Sequence, residues 1–320
     1  MTILTNSTQA YRVFERLISA YRAREFPYTQ ANLDRLPQRR IPKELRRKPN
    51  FYFYLCHFMR GLIKSEYAVA QMVKLYREEP KLFDPRHVVT LSPEIMEEKL
   101  GKLFGKLPKS QRYGEAWFRN SEILMAWGGD ILNVFRGRLT ADILRQRVVN
   151  KKDYQLPLKE QGFFMFQEKV CAMLAYFLMD AQLIPLIHIS PPVDFHHLRV
   201  MLSTEMILAS ESFRRPRPLS VAGYKLAEQY LRYRYGVHPV EFSDLLFMLS
   251  REGCARSIKE EPEDWNDAKT LRRYQRSCGR CPVEKECHHS ILAQSYYPRG
   301  DEARATRAIQ VIPRPKPPCQ

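Results

Sequence analysis

Apolar positions recur along most of this chain at three- and four-residue intervals, the period of an amphipathic helix. Residues 8–26 set Tyr11, Phe14, Leu17, Ile18 and Tyr21 on one helical face. Residues 51–78, dense in aromatics, predict one or two buried helices. Ser92, Pro93 and Glu94 open a helix over 92–105 with a capping hydroxyl, a proline in the first turn and an acid at the positive end of the helix dipole. A helix over 110–127 is ended by Gly128 and Gly129, after which Asp130 caps a short helix over ILNVF. Further helices are predicted over 163–180, 194–211, 219–235 and 239–252, the last two separated by Gly236 and Pro239. No period-2 run is long enough to support a sheet, so the predicted fold class is all-α.

Two stretches break the pattern. Residues 27–50 (ending RRIPKELRRKPN) are polar, basic and proline-bearing, and predict a loop or a solvated arm. Residues 295–320 are basic and proline-rich, and predict a disordered tail in which Cys319 is no structural ligand.

With 44% apolar and 12% aromatic residues, disorder of the whole chain is excluded. Charge changes the picture more. Fifty-two Lys and Arg against 35 Asp and Glu leave +17, a surplus that suits a polyanion, nucleic acid before an anionic membrane face. The most apolar stretch, 173–179, is broken by Asp180 and falls short of the ~20 residues a spanning helix needs. The first residues lack a basic segment followed by an apolar one, so no secretory signal is read. The expectation is an intracellular protein, with its seven cysteines as reduced thiols or metal ligands.

Four of those cysteines, Cys254, Cys278, Cys281 and Cys287, follow the spacing C-x23-C-x2-C-x5-C. A C-x2-C pair turns two thiolates onto one metal centre. Structural zinc sites mostly use two such pairs, or one pair with two histidines. One pair flanked by single cysteines, in CGRCPVEKEC, favours an iron–sulfur cluster. Zinc stays open, because His288 and His289 follow Cys287 directly.

CGRCPVEKEC resembles the cluster loop of the helix-hairpin-helix DNA glycosylases, the superfamily of endonuclease III and the adenine glycosylase. Their spacing is C-x6-C-x2-C-x5-C, with the first cysteine at a helix end, as LLFMLSREGC at 245–254 suggests here. This chain departs by a long acidic and polar insert after Cys254, which leaves Cys254 the least secure ligand; closure cost grows only logarithmically with loop length. PPVDFHHLRV at 191–200 is similar to the family's turn into the helix that carries its catalytic carboxylate, which implies that role for Asp194. A carboxylate there stabilises the positive charge that develops on the sugar as the N-glycosidic bond breaks, and can activate the nucleophile as a general base. Read from the residues alone, Asp194 is equally an N-cap. FQEKVCAMLAYFL at 166–178 looks like the second hairpin helix, where Lys169 matches the Schiff-base lysine of bifunctional members; a solvated helix-terminal lysine is the competing reading. The hairpin glycines that contact DNA phosphate are replaced by Met165 and Gln167, and the segment 183–191 is enlarged. YGEAWFRNSEILMAWGGDILNVF at 113–135 resembles the family's barrel helix, with Trp117, Phe118 and Trp127 read as core.

The resemblance implies four parts: 1–50, an N-terminal helix and basic arm packed with the cluster domain; 51–190, a helical barrel with a remodelled hairpin; 191–294, the Asp194 helix and a [4Fe-4S] domain; and 295–320, the tail. It implies a two-lobed monomer that binds double-stranded DNA, flips a nucleotide out and excises its base, with lyase chemistry wherever Lys169 acts. Candidate phosphate-binding stripes are Arg39, Arg40, Arg46, Arg47 and Lys48; Arg214, Arg215 and Arg217; and Arg272, Arg273, Arg276 and Arg280. Open alternatives are a non-catalytic cluster protein that binds DNA or senses redox state, an N-glycosidase for a nucleoside or RNA, and a zinc-stabilised transcription factor.

Overall fold

The computed structural model describes residues 3–60, 63–105, 112–209, 217–234, 236–296 and 306–317. Arg214, Arg215 and Cys319 lie outside them. The described residues are mostly helical, as the periodicity predicts, with two small antiparallel sheets added. Among them no helix is long and apolar enough to cross a membrane. The chain divides into two compact units, Met1–Leu33 with Val193–Gln320, and Asp34–Pro192.

In the first unit, Asn6 caps the helix Ser7–Arg22 by accepting from the Gln9 amide at 3.0 Å. Its apolar face meets the helices Arg217–Tyr233 and Pro239–Met248, Phe14 lying 4.8 Å from the Tyr230 ring and 4.7 Å from Phe242. Arg22 grips Glu241 at 2.7 and 3.0 Å, and Arg234 grips Glu15 at the same two distances. Leu4–Thr5 pairs antiparallel with Ile207–Leu208. The helix expected over 194–211 runs only Phe195–Ser203, because Glu205 turns left-handed (φ 57°) and the chain extends into that strand pair.

The tail expectation is corrected. Thr306–Pro313 is a strand, paired in register with His289–Tyr296 from His289↔Pro313 to Tyr296↔Thr306. Strand pairing is made by backbone groups, so a basic, proline-bearing segment can enter a ladder while burying few side chains; Ile291 and Ile309 go inside. For the same reason the all-α expectation missed both sheets.

The second unit forms around the helix Pro49–Cys56, in which Phe51, Tyr52, Phe53, Tyr54, Leu55 and Cys56 are all buried. Tyr54 stacks on Trp117 (4.4 Å, 13°) and Phe58 on Phe104 (4.1 Å, 16°). Ser92 and Asp130 cap their helices, and Gly128 and Gly129 take positive φ, as the sequence predicts. The solvated-arm reading of 27–50 is corrected: short 3₁₀ turns at Pro37–Arg40 and Lys43–Leu45 bury Leu36, Gln38, Ile41 and Leu45, and residues from Asp34 onward belong to this unit. Irregular turns bury apolar groups without helical spacing, so periodicity gives no sign of them.

Buried at the centre, Asn120 accepts from the Phe164 amide at 2.5 Å and donates to the Phe164 carbonyl at 3.1 Å. Its Nδ2 also lies 2.9 Å from Nε2 of His57, whose Nδ1 faces the carbonyls of Phe53 and Tyr54 at 3.2 and 3.1 Å. That network fits a neutral imidazole carrying its proton on Nδ1. Burial, with Arg60 adding to it, holds the His57 pKa down at about 3. The unfolded chain therefore binds this proton below pH ~6.5 while the folded chain refuses it until about pH 3, so stability falls with acidification across that window. The expected contribution is up to roughly 1.4 kcal/mol per pH unit. Urea midpoints at pH 7 and pH 4.5 should separate more for the wild type than for His57→Asn; equal separations would place the acid sensitivity elsewhere.

Candidate metal centre and active-site carboxylate

The helix Pro239–Met248 continues through one widened turn, Leu249–Gly253, into Cys254. Such turns often sit at functional positions. The insert after Cys254 does not loop away: Asp267 caps a helix, Ala268–Arg276, which returns the chain to Cys278. Arg273 ties its ends by donating to the Ser257 carbonyl at 3.3 Å. A 3₁₀ turn at Cys278–Arg280 and the bonds Cys281 N to Cys278 O (3.0 Å) and Cys287 N to Glu284 O (3.3 Å) shape the rest of the loop.

Cys254, Cys278, Cys281 and Cys287 all border one cavity of the first unit. The insert thus leaves Cys254 with the other three. Burial pushes the Cys254 thiol up to about 12, Cys287 and Cys278 adding to the effect and Lys259 and Arg199 opposing it. Burial also raises Cys281, with Cys254 next, and it raises Cys287 against the pull of Arg314. The buried Tyr28, which donates to the Leu245 carbonyl at 2.9 Å, is raised by burial and then by Cys281 and Cys254. Among the described residues, no group of three or more His, Cys, Asp or Glu side chains is arranged to hold a single metal ion. His289 also borders the cavity, its Nε2 lying 3.0 Å from Glu205, while His288 is exposed.

Three cations line the same space: Arg199, Lys259 and Arg314. No carboxylate is among its described lining residues. Lys259 donates to the Cys254 carbonyl and, at 2.7 Å, to Ser257 Oγ. The Nε atoms of Arg199 and Arg314 are buried and meet no hydrogen-bond partner. Buried cations with donors to spare call for an anionic occupant. Four thiolates around a metal core are such an occupant, so the donor set fits an iron–sulfur cluster. Arg199 lies inside PPVDFHHLRV, which drew attention in the sequence only for Asp194. Lys259 and Arg314 were missed, because one sits in the insert and the other in the supposed tail.

Asp194 is the N-cap of Phe195–Ser203. Its Oδ1 accepts from the His196 amide at 2.8 Å and lies 2.9 Å from Nδ1 of His197. The carboxylate keeps 22% exposure, and the His197 ring beneath it is 2% exposed, with a buried Nε2 that meets no partner. The same helix carries Arg199 and Ser203 to the cysteine cavity, within ~14 Å of chain axis for nine residues. Arg199 also donates to Ser250 Oγ at 3.2 Å, and the His196 ring contacts that hydroxyl at 3.1 Å. One helix of the first unit therefore bears the carboxylate at its N-terminus and two residues of the cysteine cavity's lining.

Lys169 lies in the other unit, half-buried in the first turn of Glu168–Asp180. That helix was expected from 163; residues 163–167 instead form a turn. Met165, standing where the family has glycine, takes the left-handed conformation (φ 64°), and Gln167 is the N-cap residue without a side-chain cap. Sequence reasoning passed over Gly162 (φ 68°), where an added Cβ would lie 2.1 Å from the Val149 carbonyl oxygen. Only glycine admits that approach. Trp117 is core as read, while Phe118 and Trp127 are half-buried, Trp127 with Arg147 and Lys159 each 5.6 Å over its ring.

No protein-family model matches this chain, and no curated protein matches it significantly.

Proposed function

We propose that this protein is a DNA glycosylase that excises a damaged or modified base, with a [4Fe-4S] cluster on Cys254, Cys278, Cys281 and Cys287 as a structural clamp and Asp194 as the catalytic carboxylate. The observation that carries the reading is the helix Phe195–Ser203, with Asp194 at its N-terminus and Arg199 and Ser203 against the cysteine cavity. A carboxylate at the positive end of a helix is pre-oriented and held by fixed donors, so it needs no reorganisation as sugar charge develops. The cluster's part is structural: ligand binding becomes folding free energy for a loop with little apolar core of its own.

Double-stranded DNA is the proposed partner. Arg272, Arg273, Arg276 and Arg280 are exposed beside the cysteine loop, as Arg39, Arg40, Arg47 and Lys48 are on the other unit. Phosphate contacts of this kind make affinity fall steeply with salt. Lys169, half-buried on a helix N-terminal turn, is proposed as the lyase nucleophile. Base release from duplexes bearing single damaged or modified bases, followed at rising salt, is the test. At least one lesion is expected to be excised with affinity that drops as salt rises. Salt-sensitive binding with no base released from any duplex would sink the enzymatic reading, and borohydride trapping lost in Lys169→Gln would establish the lyase step.

A further inference from the structure

Arg314 follows the strand Thr306–Pro313, and its side chain is 3% exposed. Its backbone N–H donates to the His288 carbonyl at 3.1 Å. Nη1 donates to the carbonyls of Glu284 (2.9 Å) and Cys287 (3.1 Å). Nη2 donates to Glu284 Oε1 (3.0 Å) and to the Tyr274 hydroxyl (3.2 Å). One guanidinium therefore ties the insert helix, the cysteine loop and the C-terminal strand together, while its buried Nε meets no partner. Glu284 is its ion-pair partner, on the Nη2 side. A donor left over in a buried, fully engaged guanidinium is costly unless something accepts from it.

We infer that the C-terminal strand is a working part of the metal site, and that it delivers Arg314 as hydrogen-bond donor and counter-charge to an iron–sulfur cluster on the four cysteines. This rests on the cluster reading above. Arg314 is a positioning residue: it clamps the Cys287 end of the loop and supplies positive charge to a centre made more negative by its thiolates. Cations and hydrogen bonds near a cluster favour its reduced form, and so raise its reduction potential.

The test uses the full chain, purified without oxygen. Arg314→Met should lose iron to a chelator roughly tenfold faster or more, the worth of charged hydrogen bonds in rate terms. It should also shift the midpoint potential downward. Arg314→Lys, keeping the charge without the fork, should lose iron faster yet hold the potential near the wild-type value. Glu284→Gln leaves the guanidinium in place and removes a negative charge, so its potential should move upward. Opposite shifts from the two partners are a signature that loosened packing alone does not produce. A wild type that carries no iron would overturn the cluster reading itself. An iron-loaded wild type matched by Arg314→Met in both loss rate and potential would overturn this inference alone, as would shifts of the same sign in Arg314→Met and Glu284→Gln.

Discussion

Asp194→Asn is expected to slow base release by about a thousandfold or more while leaving duplex affinity within a few-fold of wild type. The size follows from the two tasks proposed for this carboxylate, electrostatic stabilisation of the sugar cation and activation of the nucleophile, each worth on the order of a hundredfold or more. The substitution separates those tasks from capping. Asn caps helices about as well as Asp, and its amide oxygen can still accept from the His196 amide, 2.8 Å from Oδ1 in the native protein. The helix Phe195–Ser203 should therefore form, and the melting temperature should move little. Single-turnover base release and duplex binding, measured on the same preparations, check the result. Wild-type release rates in Asp194→Asn would reduce this residue to a helix cap.

Cys281→Ser is expected to have the largest structural effect. The loop around it has almost no apolar side chains to bury: between Cys278 and Cys287 only Val283 is a buried hydrophobe, at 2% exposure. With the proposed cluster gone, the cations Arg199, Lys259 and Arg314 would face each other across a cavity that no longer holds negative charge. Iron content should fall, the visible absorbance that the iron–sulfur centre gives the protein should disappear, and the melting temperature should drop by roughly 10 °C or more. Base release should fall with it, because Arg199 and Ser203 share their helix with Asp194. Cys171→Ser is the control. That thiol is buried in the other unit, its pKa pushed up to about 12 by burial, so replacing it should cost packing and leave iron untouched. Stoichiometric zinc without iron in the wild type would decide for the zinc alternative; Cys281→Ser with full iron and an unchanged melt would exclude Cys281 as a ligand.

Both sites were legible in the sequence to different depths. Helical periodicity, Ser92, Asp130 and the paired glycines at 128–129 stated most helices and several ends, because those signals act between residues a few positions apart. The tight C-x2-C-x5-C run likewise marked out a loop whose thiols border one cavity, and Asp194 stood at a helix start whichever role it was assigned. The limits came where distant segments meet. That Arg314 enters the cysteine cavity depends on a strand pairing whose register, His289↔Pro313 to Tyr296↔Thr306, is made of backbone bonds and leaves no periodic trace. That Cys254 stays with its three partners depends on an insert helix folding back, and local pattern does not carry a loop's end-to-end distance. Met165 in a left-handed turn could not be read either, since tertiary packing imposed a conformation its side chain disfavours. The sequence by itself determined the helices, the charge and the donor atoms. Only the tertiary structure decided which cations face those donors, because burial and electrostatic pairing are properties of neighbours in space.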